Sequence, residues 1–242
     1  MKSNYYYHCE NLKTISEAIK SIQRTLRIYI SKNEEKNIYI YTKILSFLIN
    51  SWAEVRLLKL IYEKDAFSES EINEILILNA DERWQHVLNI AFCKAYRIPN
   101  IDKIDNSQIS YTSRSRREAL LKLIKEDLID SIQARNRIAH GQWKYAFNND
   151  LKTLNGELIK NLKKENIIKL QLKLKMFQSL AQIIHDLAVS TPTFERDFDV
   201  NYKKIEEQKQ NFHKRDYDDY KEKMIKKRTN GLKKREINKE SI

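Results

Sequence analysis

The residues that most often end or turn a secondary-structure element are nearly missing from this chain. It contains three glycines and two prolines among 242 residues, whereas a fold of many short strands needs a turn about every 8–12 residues, roughly four to six times as often as these residues occur. Between the few breaks, apolar residues return every three or four positions, which is the period of one face of an α-helix. The sequence therefore predicts an all-α fold.

The chain carries a formal net charge of +12 at pH 7. Such a surface suits a polyanionic partner, either RNA, DNA or an anionic membrane surface, although a general enrichment in lysine produces the same excess. Two cysteines are too few for a disulfide framework, and no apolar run reaches membrane-spanning length. We expect a protein of the reducing cytoplasm, with no signal peptide and no membrane contact.

Apolar periodicity divides the chain into a helical domain and a charged extension. It predicts helices at about residues 12–30, 38–62, 68–78, 81–97, 114–140 and 165–189. After Pro192 apolar residues become sparse and charges of both signs dominate. We therefore predict a domain at residues 1–192, followed at residues 193–242 by one long exposed helix or a partly disordered tail.

The longest amphipathic pattern starts near Arg114 and ends at His140. Its apolar stripe consists of Leu120, Leu121, Ile124, Leu128, Ile132 and Ala139. Arg135 falls on the same stripe, where a guanidinium is costly unless an anionic group meets it. Gly141 follows as a natural residue for ending the helix. The helix end therefore offers a permanent cation and a titratable imidazole within about a turn and a half.

An arginine and a histidine are the minimum for metal-free transesterification of RNA. The imidazole of His140 can deprotonate a ribose 2′-hydroxyl or protonate the 5′-oxygen leaving group, and the guanidinium of Arg135 can stabilise the phosphate. One histidine cannot conveniently do both proton transfers, so a symmetric homodimer with two facing motifs would supply the second. The sequence has no metal-ligand spacing and no glycine-rich phosphate loop, so we expect neither metal nor cofactor.

The residues Arg135-Asn136-x-x-Ala139-His140 at a helix end resemble the Arg-x4-His motif of the HEPN superfamily of ribonucleases. The resemblance covers about residues 114–147 and implies a HEPN-like helical bundle that acts as a dimer. It also implies that Arg135 stabilises the phosphate, His140 is the acid or base, and Asn136 orients both. The implied products are a 2′,3′-cyclic phosphate and a 5′-hydroxyl. Such proteins often act as toxins or antiviral effectors that cut tRNA or other cellular RNA.

The residue two positions after the histidine bears on how such a nuclease is controlled. One HEPN toxin subclass carries a tyrosine two residues after the histidine, which its antitoxin adenylylates, but this chain has Gln142 there. A different antitoxin or defence-system partner, or autoinhibition by the extension, is left open. In the alternative interpretation, Arg135 and His140 only complement the helix dipole. The protein is then a non-catalytic basic helical module that binds nucleic acid or a partner protein in a defence complex.

Further RNA contacts are expected around the helix predicted at residues 114–140, here named the central helix. The candidates are Arg114, Arg116, Arg117, Arg137, Trp143 and Lys144. The three arginines at the helix start oppose the helix dipole, which favours an anionic partner, but a solvated basic turn explains them equally well. Tyr39, Tyr41 and Trp52 could stack on bases, although aromatic residues at helical spacing are usually core. A small hairpin is possible after the motif, and Asn155-Gly156 is its best turn signal.

Overall fold

The computed structural model describes residues 3–103, 109–148 and 150–240, the last three as backbone only. Most of these residues are helical, so the all-α prediction is confirmed. The helices are α1 (Asn4–Lys32), α2 (Glu35–Ile61), α3 (Glu69–Ile77), α4 (Ala80–Ala95), α5 (Tyr111–Leu123), α6 (Asp130–Ala139), α7 (Gly156–Lys164), α8 (Ile167–Val189), α9 (Thr191–Lys214) and α10 (Tyr217–Glu240). A π-helical segment, Ile124–Ile129, joins α5 to α6 without a break.

Local side-chain contacts explain where several helices begin. The Ser68 hydroxyl accepts a hydrogen bond from the Glu71 N–H at 3.3 Å, and the Glu71 carboxylate accepts one from the Ser68 N–H at 2.7 Å. This reciprocal pair satisfies two donors that a helix start otherwise leaves free. Ser190 follows α8 and caps α9, and Pro192 lies in the first turn of α9, where a missing N–H costs nothing.

Helix α2 lies near the centre of the bundle. It packs against α1, α4, α6 and α8, while α8 also packs against α4 and α9. The largest fully buried side chains of the main core include Trp84, Phe92, Phe177 and Phe194. A smaller cluster of Ala134, Ile138, Ala146 and Leu162 lies under the end of α6. The predicted helix of residues 114–140 is thus attached at both ends, since α5 packs against α4 and α6 packs against α2.

The buried face of the central helix differs from the predicted stripe near its end. Ile124, Leu128 and Ile132 are buried as expected, but Ala139 is exposed, and Ile138 is buried instead. A π-helical segment accommodates an extra residue and so changes the rotation of the residues that follow. The buried residues of this helix therefore lie next to Arg135, and Arg135 itself lies at the margin of the buried face.

The predicted charged extension is helical, and its first half belongs to the core. Helix α9 packs along α8, and its residues Phe194, Phe198 and Ile205 are buried in the main core. The predicted boundary at residues 192/193 thus falls at the start of a core helix. Helix α10 packs against α1, but residues 226–237 are all exposed. The expectation of a long exposed charged helix therefore fits the second half of α10 alone.

We expect Ile205→Ala to lower the free energy of unfolding by about 2–3 kcal/mol, because a fully buried side chain is lost and a cavity remains. Chemical denaturation followed by circular dichroism measures this change. Val200→Ala on the same helix is the matched control, since Val200 is 59% exposed, and its effect should stay within about 0.5 kcal/mol. Equal effects of the two substitutions would show that α9 does not share the core.

The segment after α6 forms a minimal hairpin, but not at the expected turn. Phe147 and Leu154 form an isolated antiparallel bridge. The Asn155 N–H donates to the Ala146 carbonyl at 2.8 Å. Asn155-Gly156, predicted as the turn, instead starts α7, because the Asn155 side chain accepts a hydrogen bond from the Leu158 N–H at 2.9 Å. Asparagine is a favoured N-cap residue, and this local contact outweighs its turn propensity.

Candidate functional site at the end of helix α6

The end of α6 is fixed by hydrogen bonds of the main chain. Gly141 adopts a left-handed conformation with φ 76°. The Gly141 N–H donates to the Ile138 carbonyl at 3.1 Å, and the Gln142 N–H donates to the Arg137 carbonyl at 2.9 Å. These two bonds form the Schellman motif, which satisfies the last carbonyls of a helix. The motif holds His140 as the cap residue of the helix.

The loop that follows is tied to both α6 and α2. The Trp143 indole N–H donates to the Ile138 carbonyl at 3.0 Å. The Tyr39 hydroxyl of α2 donates to the Trp143 carbonyl at 2.7 Å. Gln142 accepts a hydrogen bond from the Phe147 N–H at 2.8 Å through its side-chain oxygen. Gln142 therefore has a structural role here, and His140 lies between two anchored segments.

Arg135 meets its anionic partner inside the same chain. Its guanidinium forms an ion pair with Glu54 of α2, and the two side chains are 20% and 28% exposed. Burial lowers the pKa of Arg135, but a guanidinium keeps its charge at neutral pH. Its Nε–H is buried without an acceptor among the described residues. Since an unmet buried donor costs about 1–3 kcal/mol, Glu54 satisfies the cation only in part.

His140 and Asn136 lie on the solvent side of the helix end. They are four residues apart, which places them on one face of α6, and both are exposed. Within the described ranges the His140 imidazole has no hydrogen-bond or ion-pair partner. Arg135 lies on the neighbouring row, turned toward α2. The single chain therefore presents an imidazole and an amide to solvent beside a partly buried cation.

The three arginines at the start of the central helix do not join this site. Arg116 is 12% exposed and forms ion pairs with Glu195 and Asp199 of α9. The Arg117 guanidinium donates to the Asn89 side chain of α4 at 2.8 Å. Arg114 is half-buried. At 1.5 Å per residue they lie roughly 25–30 Å from Arg135 along the helix. Their contact with RNA stays a prediction, and two of them have an observed role in joining helices.

The remaining predicted contacts lie close to the motif, and the structure adds residues that the sequence did not indicate. Arg137 is half-buried in the last turn of α6, Trp143 is half-buried against the small cluster, and Lys144 is exposed. A cavity of about 310 Å³ opens beside Trp143 and Lys144. Its other lining residues are Tyr39, Lys43, Leu162 and Lys163. Lys43 and Lys163 are distant in sequence from the motif, and no local signal in the sequence links them to it.

A second cavity, of about 390 Å³, lies near the π-helical segment and is acidic. Its carboxylates come from Glu126, Asp127, Asp130, Glu157 and Glu165. Burial, together with the nearby Glu157 carboxylate, raises the pKa of Asp130. Carboxylates repel phosphate, so this cavity does not suit a nucleic acid.

The conformation of Gly141 leads to a stability prediction. We expect Gly141→Ala to lower the free energy of unfolding by about 1 kcal/mol, because an L-residue with a side chain is strained at positive φ. Thermal unfolding measures the change. Gly231→Ala, inside α10, is the control and should be neutral or stabilising by up to about 1 kcal/mol. A stabilised Gly141→Ala variant would contradict the left-handed helix end.

Neither a metal site nor a similar known protein indicates a function for this chain. Among the residues that the structure describes, no group of three His, Cys, Asp or Glu side chains is placed to hold a metal ion. No helix in the same ranges is both long and apolar enough to cross a bilayer. Comparisons of the chain with protein-family models, curated proteins and solved structures gave no match.

Proposed function

We propose that this protein is a metal-independent, HEPN-like endoribonuclease that acts on tRNA or other cellular RNA in the cytoplasm, as a toxin or antiviral effector. The observation that carries the proposal is the exposed imidazole of His140 at a helix end that also holds the incompletely satisfied guanidinium of Arg135. A net charge of +12 supports a polyanionic substrate.

The proposed reaction needs one proton acceptor, one proton donor and a cation. His140 removes the proton of a ribose 2′-hydroxyl, and the 2′-oxygen forms a bond to the neighbouring phosphorus. The bond from phosphorus to the 5′-oxygen breaks, and a second imidazole protonates that oxygen. Arg135 stabilises the negative charge on the phosphate, and the Asn136 amide orients the reacting groups. The products are a 2′,3′-cyclic phosphate and a 5′-hydroxyl.

A homodimer would provide the second imidazole. Each chain contributes one His140, and the face that carries Asn136 and His140 is exposed in the single chain. In a symmetric dimer the same patch of each protomer meets its copy, so two α6 ends would face each other. The composite site would then hold two imidazoles and two guanidinium groups around one phosphate.

The alternative function is a non-catalytic basic module that binds nucleic acid or a partner protein. The ion pair between Arg135 and Glu54 favours it, because it gives Arg135 a structural role without any substrate. Such a module holds RNA without changing it. RNA binding is distinguished from protein binding by its steep loss as salt concentration rises.

The proposal is tested by incubating the purified protein with tRNA and with total RNA in an excess of EDTA, and resolving the products on a denaturing gel. Cleavage should proceed in EDTA at the rate seen with added Mg²⁺, because the catalytic groups are side chains. A requirement for Mg²⁺ would contradict the metal-independent mechanism. RNA that shifts on a native gel but stays intact would favour the binding module.

A further inference from the structure

We propose that the cavity lined by Tyr39, Lys43, Trp143, Lys144, Leu162 and Lys163, here named the aromatic–lysine pocket, binds one unpaired nucleotide of an RNA chain. The pocket lies between α2, α7 and the loop after α6. Its role as a substrate subsite rests on the proposed ribonuclease function. Its role as an RNA-binding site does not.

The position of the pocket places it beside the proposed reaction. Trp143 follows His140 by three residues, which limits the distance between their Cα atoms to about 11 Å. That span is within the reach of a nucleotide next to the scissile phosphate. The hydrogen bond from Tyr39 to the Trp143 carbonyl, 2.7 Å long, fixes one wall of the pocket to the other. A nucleotide held here would be aligned with the end of α6.

The charges of the pocket suit a phosphate at its rim. Lys43 is only 2% exposed and is neutralised by Glu165, with 3.3 Å between Nζ and the carboxylate oxygen. Burial, its largest influence, lowers the pKa of Lys43. Lys144 and Lys163 are exposed. Two ammonium groups are therefore accessible to a phosphate at the pocket mouth, while the buried one is already paired.

The aromatic residues and the size of the cavity suit an unpaired base. Tyr39 is 42% exposed, which is unusual for a core aromatic, and Trp143 is half-buried. Aromatic side chains bind unpaired bases by stacking, and every base offers a face for it. A cavity of about 310 Å³ is near the lower limit for small-ligand sites, so it admits a single nucleotide and excludes a duplex.

The first test compares binding of single-stranded and double-stranded RNA. The protein carries His140→Ala to prevent cleavage, and fluorescence anisotropy follows a labelled 12-nucleotide RNA and a blunt duplex of the same sequence. Lys144→Gln with Lys163→Gln should weaken single-strand binding roughly tenfold and reduce the slope of log K against log salt by about 1.4, since each phosphate contact contributes about 0.7. Lys13→Gln with Lys20→Gln, two exposed lysines of α1, is the matched control. It should change affinity less than twofold.

The second test uses tryptophan fluorescence as a reporter of the pocket. Trp52 and Trp84 are 6% and 2% exposed, so a ligand that stacks in the pocket should quench mainly Trp143. The unlabelled single-stranded RNA should quench the emission, and Trp143→Phe should remove the quenching. Adenosine monophosphate serves as the free-nucleotide probe. Quenching by adenosine monophosphate and not by RNA would overturn the assignment to an RNA chain.

The outcomes separate this inference from the proposed function. If the wild-type protein cuts RNA, and the two lysine pairs affect binding equally, the pocket assignment is wrong and the nuclease stands. If the pocket lysines alone weaken single-strand binding, the pocket stands even when the wild-type protein cuts nothing. Stronger binding of the duplex than of the single strand would also overturn the pocket assignment.

Discussion

Replacing His140 with alanine is expected to slow RNA cleavage by a factor of about 10²–10⁴, the usual contribution of a general acid or base. In a composite dimer site the loss should lie toward the upper end, because one substitution removes both imidazoles. His140 is exposed, so its truncation leaves no cavity, and the fold should not change. Initial cleavage rates on a fixed tRNA measure the effect.

The matched control for His140 is His213→Ala. His213 is an exposed histidine in the last turn of α9. Its replacement makes the same chemical change on a different helix and should leave the cleavage rate within about twofold of wild type. Equal rates for wild type and both variants would contradict the assignment of His140 as the acid or base.

Replacing Arg135 with alanine is expected to reduce cleavage about 10²–10³-fold, as the loss of a group that stabilises transition-state charge usually does. This substitution should also destabilise the fold, because Glu54 loses its partner. Glu54 is 28% exposed, so solvent compensates for much of that loss, and we expect a cost of about 1 kcal/mol. Cleavage rates and chemical denaturation measure the two effects.

A double variant separates the catalytic role of Arg135 from its structural role. Arg135→Ala combined with Glu54→Gln removes both charges, so most of the lost stability should return. Cleavage should stay low, because the phosphate still lacks its cation. If activity returns together with stability, Arg135 acts only through its ion pair with Glu54, and the catalytic assignment is contradicted.

Local signals in the sequence predict most of the helices and the end of α6. Ser68 followed by Glu71 marks a helix start, Pro192 separates α8 from α9, and Gly141 ends α6 in a left-handed conformation. Each of these signals acts between residues that are close along the chain. The main chain and its nearest side chains are enough to satisfy them, so the sequence pattern reveals them.

Features that depend on contacts between distant residues were not predicted. Arg135 and Glu54 are 81 residues apart, and no sequence signal near Arg135 indicates that Glu54 is its partner. The sparse apolar residues of α9 resemble an exposed helix, yet three of them reach the core because α8 offers a complementary face. Tyr39 lies at helical spacing typical of core residues, and only the packing of α2 leaves it exposed at the pocket. These features emerge only from the tertiary structure.

The most direct test of the proposed chemistry is analysis of the RNA ends produced by the wild-type protein in EDTA. The proposed mechanism predicts a 2′,3′-cyclic phosphate and a 5′-hydroxyl, because the 2′-oxygen of the substrate is the nucleophile. It also predicts that a single 2′-deoxy substitution at the cleaved nucleotide blocks cutting there. Products with a 3′-hydroxyl and a 5′-phosphate, or continued cleavage of the 2′-deoxy substrate, would contradict the role assigned to Arg135 and His140.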